Sequence, residues 1–588
     1  MNEYRKLWTD AVANALREEA EARGVEAPST ELVPGVPPSS DMGDLSFPMF
    51  AFAKSFRSSP AAIATAVAGR LAAGTLSARG SGTAEAAGPY VNIRYPRAEA
   101  AASILASCLG DATGGYGRNG SLAGERITIE FSSPNTNKPL HLGHLRNDAL
   151  GESVARILAA CGADVRSVNL INDRGIHICK SMLAYRTFGN GETPESRGVK
   201  GDRFVGDYYV RYNEWAKEDP GAEAQAREML LAWEAGDPDV VALWRTMNDW
   251  VLEGHAATYA ATGIHFDALY YESQTYTSGR AEVLRGVEEG IFERDEDGSI
   301  WADLSPVNLD RKLLLRSDGT SVYVTQDIGT VLARYHDKPF DRMIYVVASE
   351  QDYHFRVLFY VLGLLGYEWA SQLHHLSYGM VNLPEGRMKS REGQVVDADD
   401  LIAELRELAV AEIRSKDREE AVGDVQATAH AVAVGALHYY LLQVTPGKDM
   451  IFNPKESLSF TGNTGPYLQY MCARISSMLR KAEEKGIRPD PAAVATELLV
   501  TEVEWQLVRL IARYPDVVEQ AGAEYSPAAI AVYLYDLAKT FSGYYHDHPM
   551  LTAPEPTVRD ARLLLARAIL VVLQSGMTLL NIPVLEVM

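Results

Sequence analysis

The chain has 588 residues, too many for one domain at roughly 150 residues each. A hydrophobic fraction of 47% and a charged fraction of 23% exclude a disordered chain. The net charge is −22, from 56 basic and 78 acidic residues; taken as a sum, it argues against a nucleic-acid partner.

In chain order, residues 1–25 read as an amphipathic helix. A Pro/Ser-rich turn follows at Val33–Ser40, then a helical stretch over Phe47–Ala73 and a strand at Pro89–Ile93. The start has no apolar run of signal-peptide type. Residues 110–124 hold six glycines and few apolar side chains, the mark of a linker.

The pattern then changes. Arg126–Phe131 is a short β-branched run, expected as a buried strand, and a helix is expected from about Leu140 to Cys161. A second strand is expected at Asp164–Ile171. This β-α-β unit opens a doubly wound nucleotide-binding sheet. A matching half is expected later, with strand Met343–Ala348, helix His354–Leu365 and strand Leu373–Val381. The halves are separated by about 190–310, expected to be helical insertions. Residues 191–310 carry 10 basic and 25 acidic residues, most of the excess acid, whereas 1–120 and 451–588 net −1 and −3. Beyond about residue 400 helical periodicity dominates, at Leu401–Ile413, His430–Gln443, Tyr467–Lys481, Thr496–Tyr514, Ser526–Tyr544 and Val558–Leu580. The apolar tail is interrupted by Arg567 and Gln574 and reads as a buried helix rather than a membrane span. The expected division is 1–112, 121–400 and 401–588. Four cysteines without metal or disulfide spacing point to a reducing, cytoplasmic setting.

Two motifs carry chemistry. His141-Leu142-Gly143-His144 follows a strand and opens a helix, where backbone N–H groups and the positive dipole end attract anions. Two imidazoles one turn apart can both donate to phosphate oxygens, and Gly143 lets a flat ring approach the backbone. The same tetrapeptide also serves as a pair of histidines capping a surface helix. A zinc reading lacks a third ligand. The second motif, Arg387-Met388-Lys389-Ser390-Arg391, suits clamping a triphosphate, and equally a solvated basic turn.

With Phe131-Ser132-Ser133-Pro134-Asn135 leading through Lys138-Pro139 into this histidine motif, the chain resembles the arginyl-tRNA synthetases. These are class I enzymes with H-I-G-H and K-M-S-K-S signatures. The resemblance continues at Asn172-Asp173-Arg174-Gly175, Tyr323–Asp327, Ser349–Asp352 and Asn463–Tyr470, and reaches back to Gly43–Pro48. It implies a multidomain α/β fold: a Rossmann-like catalytic domain with insertions, a small α+β N-terminal domain and an all-α C-terminal anticodon-binding domain. It implies activation of arginine with ATP and Mg2+ to arginyl-adenylate, then transfer to the terminal adenosine of tRNA. It implies a monomer, the family's usual state; the residues themselves lead us to expect no structural metal and no membrane partner.

By the same resemblance, His141, His144, Lys138, Lys389 and Arg391 stabilise charge in the reaction. Pro139, Gly143, Met388 and Ser390 line ATP. Ser390 stands where the signature has its second lysine, and Lys138 matches the lysine thought to compensate. Ser133, Asn135 and Gln351 hold the amino-acid end of arginine, while Glu272, Tyr323 and Asp327 receive its side chain. A guanidinium has five donors in a plane, best matched by carboxylates. Tyr323 and Asp327 are spaced to share a helix face. For any single acid in so acidic a chain, a solvated surface place is the plainer reading. Tyr467, Gln469 and Arg474, with Tyr470, are expected to meet tRNA bases, though core packing is the plainer reading for at least one tyrosine. Three rivals remain. One is a nucleotidyltransferase that does not use tRNA; the second is a synthetase for cysteine or an aliphatic residue; the third is an inactive tRNA-binding paralogue.

Overall fold

The structure, a computed structural model, describes residues 2–588 apart from 27–30, 36, 39–41, 74–81, 111–114, 383, 385–395 and 492–494. It forms two compact units. The first comprises Met1–Tyr116, Ile475–Pro515 and Asp536–Leu573; the second comprises Gly117–Arg474, Asp516–Tyr535 and Gln574–Met588.

In the first unit, β1 (Leu45–Pro48), β2 (Thr83–Ala87) and β3 (Tyr90–Arg94) form an antiparallel sheet in the order β1-β3-β2. Phe47 therefore lies in a strand, paired with Val91, and not in a helix as its surroundings suggest. Tertiary pairing overrides a sequence whose helical periodicity begins only at Ala53 and resumes at Pro60. Phe47, Val91 and Ile93 bury their side chains with Trp8, Ile63 and Val67 from the helices Asn2–Ala22 and Pro60–Ala73. Two buried acids are satisfied within the unit. Asp44 accepts from Trp505 Nε1 (2.8 Å) and Tyr95 N (2.9 Å). Glu504 accepts from Tyr544 Oη (2.7 Å) and Arg562 Nε (3.2 Å).

The second unit is built on five parallel strands: β4 (Arg126–Glu130), β5 (Asp164–Ile171), β6 (Ala268–Tyr271), β10 (Arg342–Ala348) and β11 (Leu373–Tyr378). Their order is β11-β10-β4-β5-β6. Chain order runs outward from β4 to β5 and resumes on its other side at β10, so the switch point lies between β4 and β10. Ligands of such sheets sit beyond the strand C-termini at that point. The first crossover is α1 (Leu142–Ala160), which is buried over most of its length.

The insertion departs from the helical expectation. Its first part is helical, including α2 (Gly201–Glu218) and α3 (Pro238–Thr262). These close on a core of Met182, Phe204, Tyr208, Tyr212, Ala226 and Val251. Its later part supplies β6 and an antiparallel sheet of β7 (Glu293–Arg294), β8 (Ile300–Ala302) and β9 (Lys312–Leu315). The next helix, α4 (Tyr323–Asp337), leads into β10; α5 (Asp352–Leu364) follows it. Ile300 and Leu314 pack in one cluster with Val331 of α4, Met343 of β10 and Leu358 of α5.

After the 385–395 segment come α6 (Ala398–Ser415) and α7 (Val425–Leu442). Four longer helices follow: Gly465–Glu484, Glu502–Ala523, Pro527–Asp547 and Pro556–Leu579. A two-residue β13 (Met450–Ile451) pairs with β12 (Val381–Asn382), a small exception to the all-helical expectation there. Pro556–Leu579 is the one described helix long and apolar enough to cross a membrane. Over half of its most apolar window (56%) is buried within the protein. All four cysteines are buried and none is in a disulfide.

Candidate active site

The parallel strands bring their following residues to one edge. Ser133 and Asn135 follow β4, Asp173 and Arg174 follow β5, Glu272 follows β6, and Gln351 follows β10. α4 runs into β10, so its first turn, with Tyr323 and Asp327, lies at the same edge.

His141 is the N-cap of α1. Its Nδ1 accepts from Gly143 N (3.1 Å), and His144 Nδ1 accepts from His141 N (3.1 Å), a reciprocal capping box. Both Nδ1 atoms are thereby acceptors, which leaves each proton on Nε2. Burial pushes His141 down to about 3, with the Lys138 charge adding to it. Burial also holds His144 well below its ordinary value, aided by His141, Lys138 and His255. The two rings, 3.8 Å apart, are neutral donors at neutral pH. A Cβ on Gly143 would stand 3.0 Å from His141 Cε1, so this glycine makes room first for the capping ring. The capping and phosphate readings of the tetrapeptide are thus compatible: one nitrogen caps, the other remains a donor.

Lys138, itself lowered by burial, precedes this turn. Its carbonyl lies 3.1 Å from His255 Nε2 of α3. Met388, Lys389, Ser390 and Arg391 lie outside the described residues.

The loop after β4 is strained. Ser132 (φ 72°) and Ser133 (φ 50°) are consecutive non-glycine residues in the left-handed region. Three asparagines pin them. Ser132 N donates to Asn147 Oδ1 (2.6 Å), Ser133 N to Asn169 Oδ1 (3.0 Å), and Asn172 Nδ2 to Ser133 O (2.8 Å). Asn147 also donates to Val346 O (2.7 Å), tying β10 to the loop. Ser133 Oγ donates to Glu130 (3.2 Å), which forms a buried ion pair with Arg334. Asn135 is exposed and bridges Asn172. Next to Asn147, Asp148 is 1% exposed. The neighbouring Ser132 hydroxyl is engaged with Tyr259 Oη (2.6 Å). Burial pushes Asp148 up to about 8.

The acids sit together. Burial pushes Glu272 up to about 7; Arg174 opposes this, while Asp173 and Asp327 add to it. Arg174 Nη1 is 3.8 Å from Glu272, Nη2 pairs with Glu234 (2.8 Å), and the guanidinium stacks over Tyr276 at 3.9 Å. Asp327 Oδ2 lies 2.6 Å from His354 Nε2. Tyr323 is 79% exposed, and Gln351 is also exposed.

The expected tRNA-facing residues divide. Tyr470 is exposed, and Arg474 sits over its ring at 5.9 Å. Tyr467 is half-buried, its ring 6.0 Å from that of Tyr535. Gln469 is fully buried and donates to Ala431 O (2.9 Å) and Pro583 O (2.8 Å). It therefore packs the interior instead of meeting bases at the surface, about 100° round the helix from exposed Tyr470.

Sequence reasoning missed several groups. Asn147, Asn169, Asp148, His255 and His354 lie within elements read only for periodicity; their polar identity at buried or, for His354, half-buried positions is the available signal. The resemblance at Asn172–Gly175 includes Arg174 and assigns it no role.

Residues 115–453 match the family of class I tRNA synthetases (R), catalytic domain. Residues 468–588 match the DALR anticodon-binding domain, and 6–95 the arginyl-tRNA synthetase N-terminal domain. Arginine–tRNA ligase of Treponema denticola is 53% identical over the full length of both chains. That of Borrelia hermsii is 43% identical, again over both full lengths. Among solved structures, Thermus thermophilus arginyl-tRNA synthetase superposes with a TM-score of 0.81 at 30% identity, covering 99% of this chain and 100% of the other. This chain belongs to the arginyl-tRNA synthetase family of class I tRNA synthetases.

Proposed function

We propose that the chain is an arginine–tRNA ligase, using arginine, ATP and tRNA as substrates. In the first step the arginine carboxylate attacks the α-phosphate of ATP, forming arginyl-adenylate and releasing pyrophosphate. In the second, a hydroxyl of the tRNA's terminal adenosine takes the arginyl group and AMP leaves. Neither step needs a covalent enzyme intermediate, so the protein's work is positioning and charge stabilisation.

One observation supports this most: two neutral imidazoles with Nε2–H donors at a helix N-terminus stand at the same sheet edge as two coupled acids. The imidazoles and the helix end suit the phosphates, with Lys138 beside them and Pro139 and Gly143 against the nucleotide. Lys389, Arg391, Met388 and Ser390 are assigned to ATP by family resemblance alone. Glu272 and Asp327 suit a guanidinium, with Tyr323 one turn before Asp327. Ser133, Asn135 and Gln351 are assigned to the amino and carboxylate end. A site that pairs a guanidinium leaves buried acids unsatisfied when lysine enters, so discrimination of roughly 10⁴–10⁵ needs no editing. The DALR-matching helices are assigned to the anticodon, with Tyr467, Tyr470 and Arg474 as contacts and Gln469 withdrawn to packing.

No group of three or more described His, Cys, Asp or Glu residues is arranged to hold a metal. Mg2+ that arrives with a nucleotide needs only one or two protein carboxylates besides the phosphates. The ion enters only as the companion of the ATP phosphates, and no step is assigned to it. The divisions 1–112, 121–400 and 401–588 are kept as proposed domains, although α6 and α7 share a compact unit with the sheet. We assign a cytoplasmic location on four cysteines outside any disulfide, and a monomeric state on the family's usual state.

The pocket is tested with Asp327→Asn. Its KM for arginine should rise far more than its KM for ATP. Equal changes in both would remove Asp327 from the guanidinium site.

A further inference from the structure

The histidine motif is held from two sides, by the helical insertion and by the segment that leads into α6. On one side, His255 of α3 bonds the Lys138 carbonyl, and Gly206 of α2 lies so close that a Cβ would come 2.8 Å from Pro139 Cδ. On the other, residues 396–398, which lead into α6, pair with residues 140–142. Leu142 N donates to Val396 O (3.3 Å), Ala398 N donates to Leu140 O (2.9 Å), and His141 bridges Asp397.

The start of α6 is in turn held by the insertion through side chains. Lys200, the N-cap of α2, places Nζ 2.5 Å from Asp399 Oδ2, 2.5 Å from Thr258 Oγ1 and 3.1 Å from Asp202 Oδ2. Thr258 donates to the other Asp399 oxygen (2.9 Å), and Arg203 pairs with Asp400 (2.9 Å). Asp202 is fully buried. Asp397 spends its carboxylate on capping α6, accepting from Asp399 N. One lysine thus joins an acid of α2 and an acid of α6. Without it, like charges face one another where α6 abuts the histidine turn.

We infer that Lys200 is a positioning residue for the ATP step: it ties α2 and α3 to the start of α6 and so sets the place of the His141 turn. The inference rests on the proposed role of His141 in holding ATP. It also gives the insertion a task, a buttress for the nucleotide side of the site, and requires no contact between Lys200 and substrate.

The test is arginine-dependent ATP–pyrophosphate exchange in the presence of tRNA, with thermal melting alongside. Lys200→Met should raise the KM for ATP by about tenfold or more, since small displacements far from the chemistry cost up to about 10²-fold. The KM for arginine should stay within about twofold, and Lys200→Arg should recover much of the loss. An unchanged KM for ATP, or equal rises in both constants, would overturn the inference. If Lys200→Met does not fold, Thr258→Val, which removes one donor to Asp399 and keeps every charge, carries the same split at smaller size. His141→Asn separates the two levels. If it retains exchange, the reading of His141 falls. If it loses exchange while Lys200→Met does not, only the Lys200 inference falls.

Discussion

His141 performs two tasks with two nitrogens, and substitution can separate them. Nδ1 caps α1 at 3.1 Å from Gly143 N; Nε2–H is left as the donor proposed for a phosphate oxygen. Asparagine reaches as far as Nδ1 with an acceptor oxygen and has nothing at the Nε2 position. His141→Asn therefore keeps the cap and loses the donor, whereas His141→Ala loses both. Removing one preorganised donor to a developing charge costs about 2.7–4 kcal/mol, or about 10²–10³ in rate. Removing a helix N-cap costs about 0.5–2 kcal/mol of stability. Both variants should therefore lose about 10²–10³ in the rate of arginine-dependent ATP–pyrophosphate exchange, and only His141→Ala should also lose stability, read by denaturant titration. A folded His141→Asn with exchange within a factor of about three of the parent would refute the donor assignment. Loss of stability in His141→Asn equal to that in His141→Ala would refute the separation of tasks.

Two further predictions concern pH. Glu272 sits at about 7, and a guanidinium pairs with its ionised form, so the KM for arginine should rise as pH falls below about 7. Glu272→Gln should flatten that dependence, and a parent profile level from pH 6 to 8 would contradict it. Asp148, held at about 8 against an ordinary 3.8, keeps its proton in the folded state and loses it in the unfolded chain. Its contribution is fully present below about 3.8 and is lost as pH rises to about 8. Asp148→Asn should remove that part of the decline in a stability–pH series, and an unchanged slope would show that Asp148 ionises freely.

Long elements were legible because their periodicity is long. The strand at Asp164–Ile171 appears with those bounds, and α1 lies within two residues of its expected limits. The antiparallel sheet at 293–315 was not legible. β7 and β8 span two and three residues, too short for alternation to register. Phe47 was misplaced because its strand is fixed by distant partners on β3. At the candidate site, motifs single out His141, His144, Glu272 and Asp327. They leave out the supporting groups: Asn147, Asn169, His255 and Lys200 act through contacts more than thirty residues away in at least one bond each. Gln469 shows the reverse failure, since a polar residue in the Asn463–Tyr470 motif serves the interior. The net charge misled as a sum. Most of its excess lies in an insertion with 10 basic residues, two of which, Lys200 and Arg203, pair with Asp399 and Asp400.

The central claim is arginine activation, and ATP–pyrophosphate exchange measured with each of the twenty amino acids, with and without tRNA, tests it most directly. Exchange with arginine alone, dependent on tRNA as in most of the family, is the predicted result. Exchange driven by a different amino acid, with none by arginine, would contradict it.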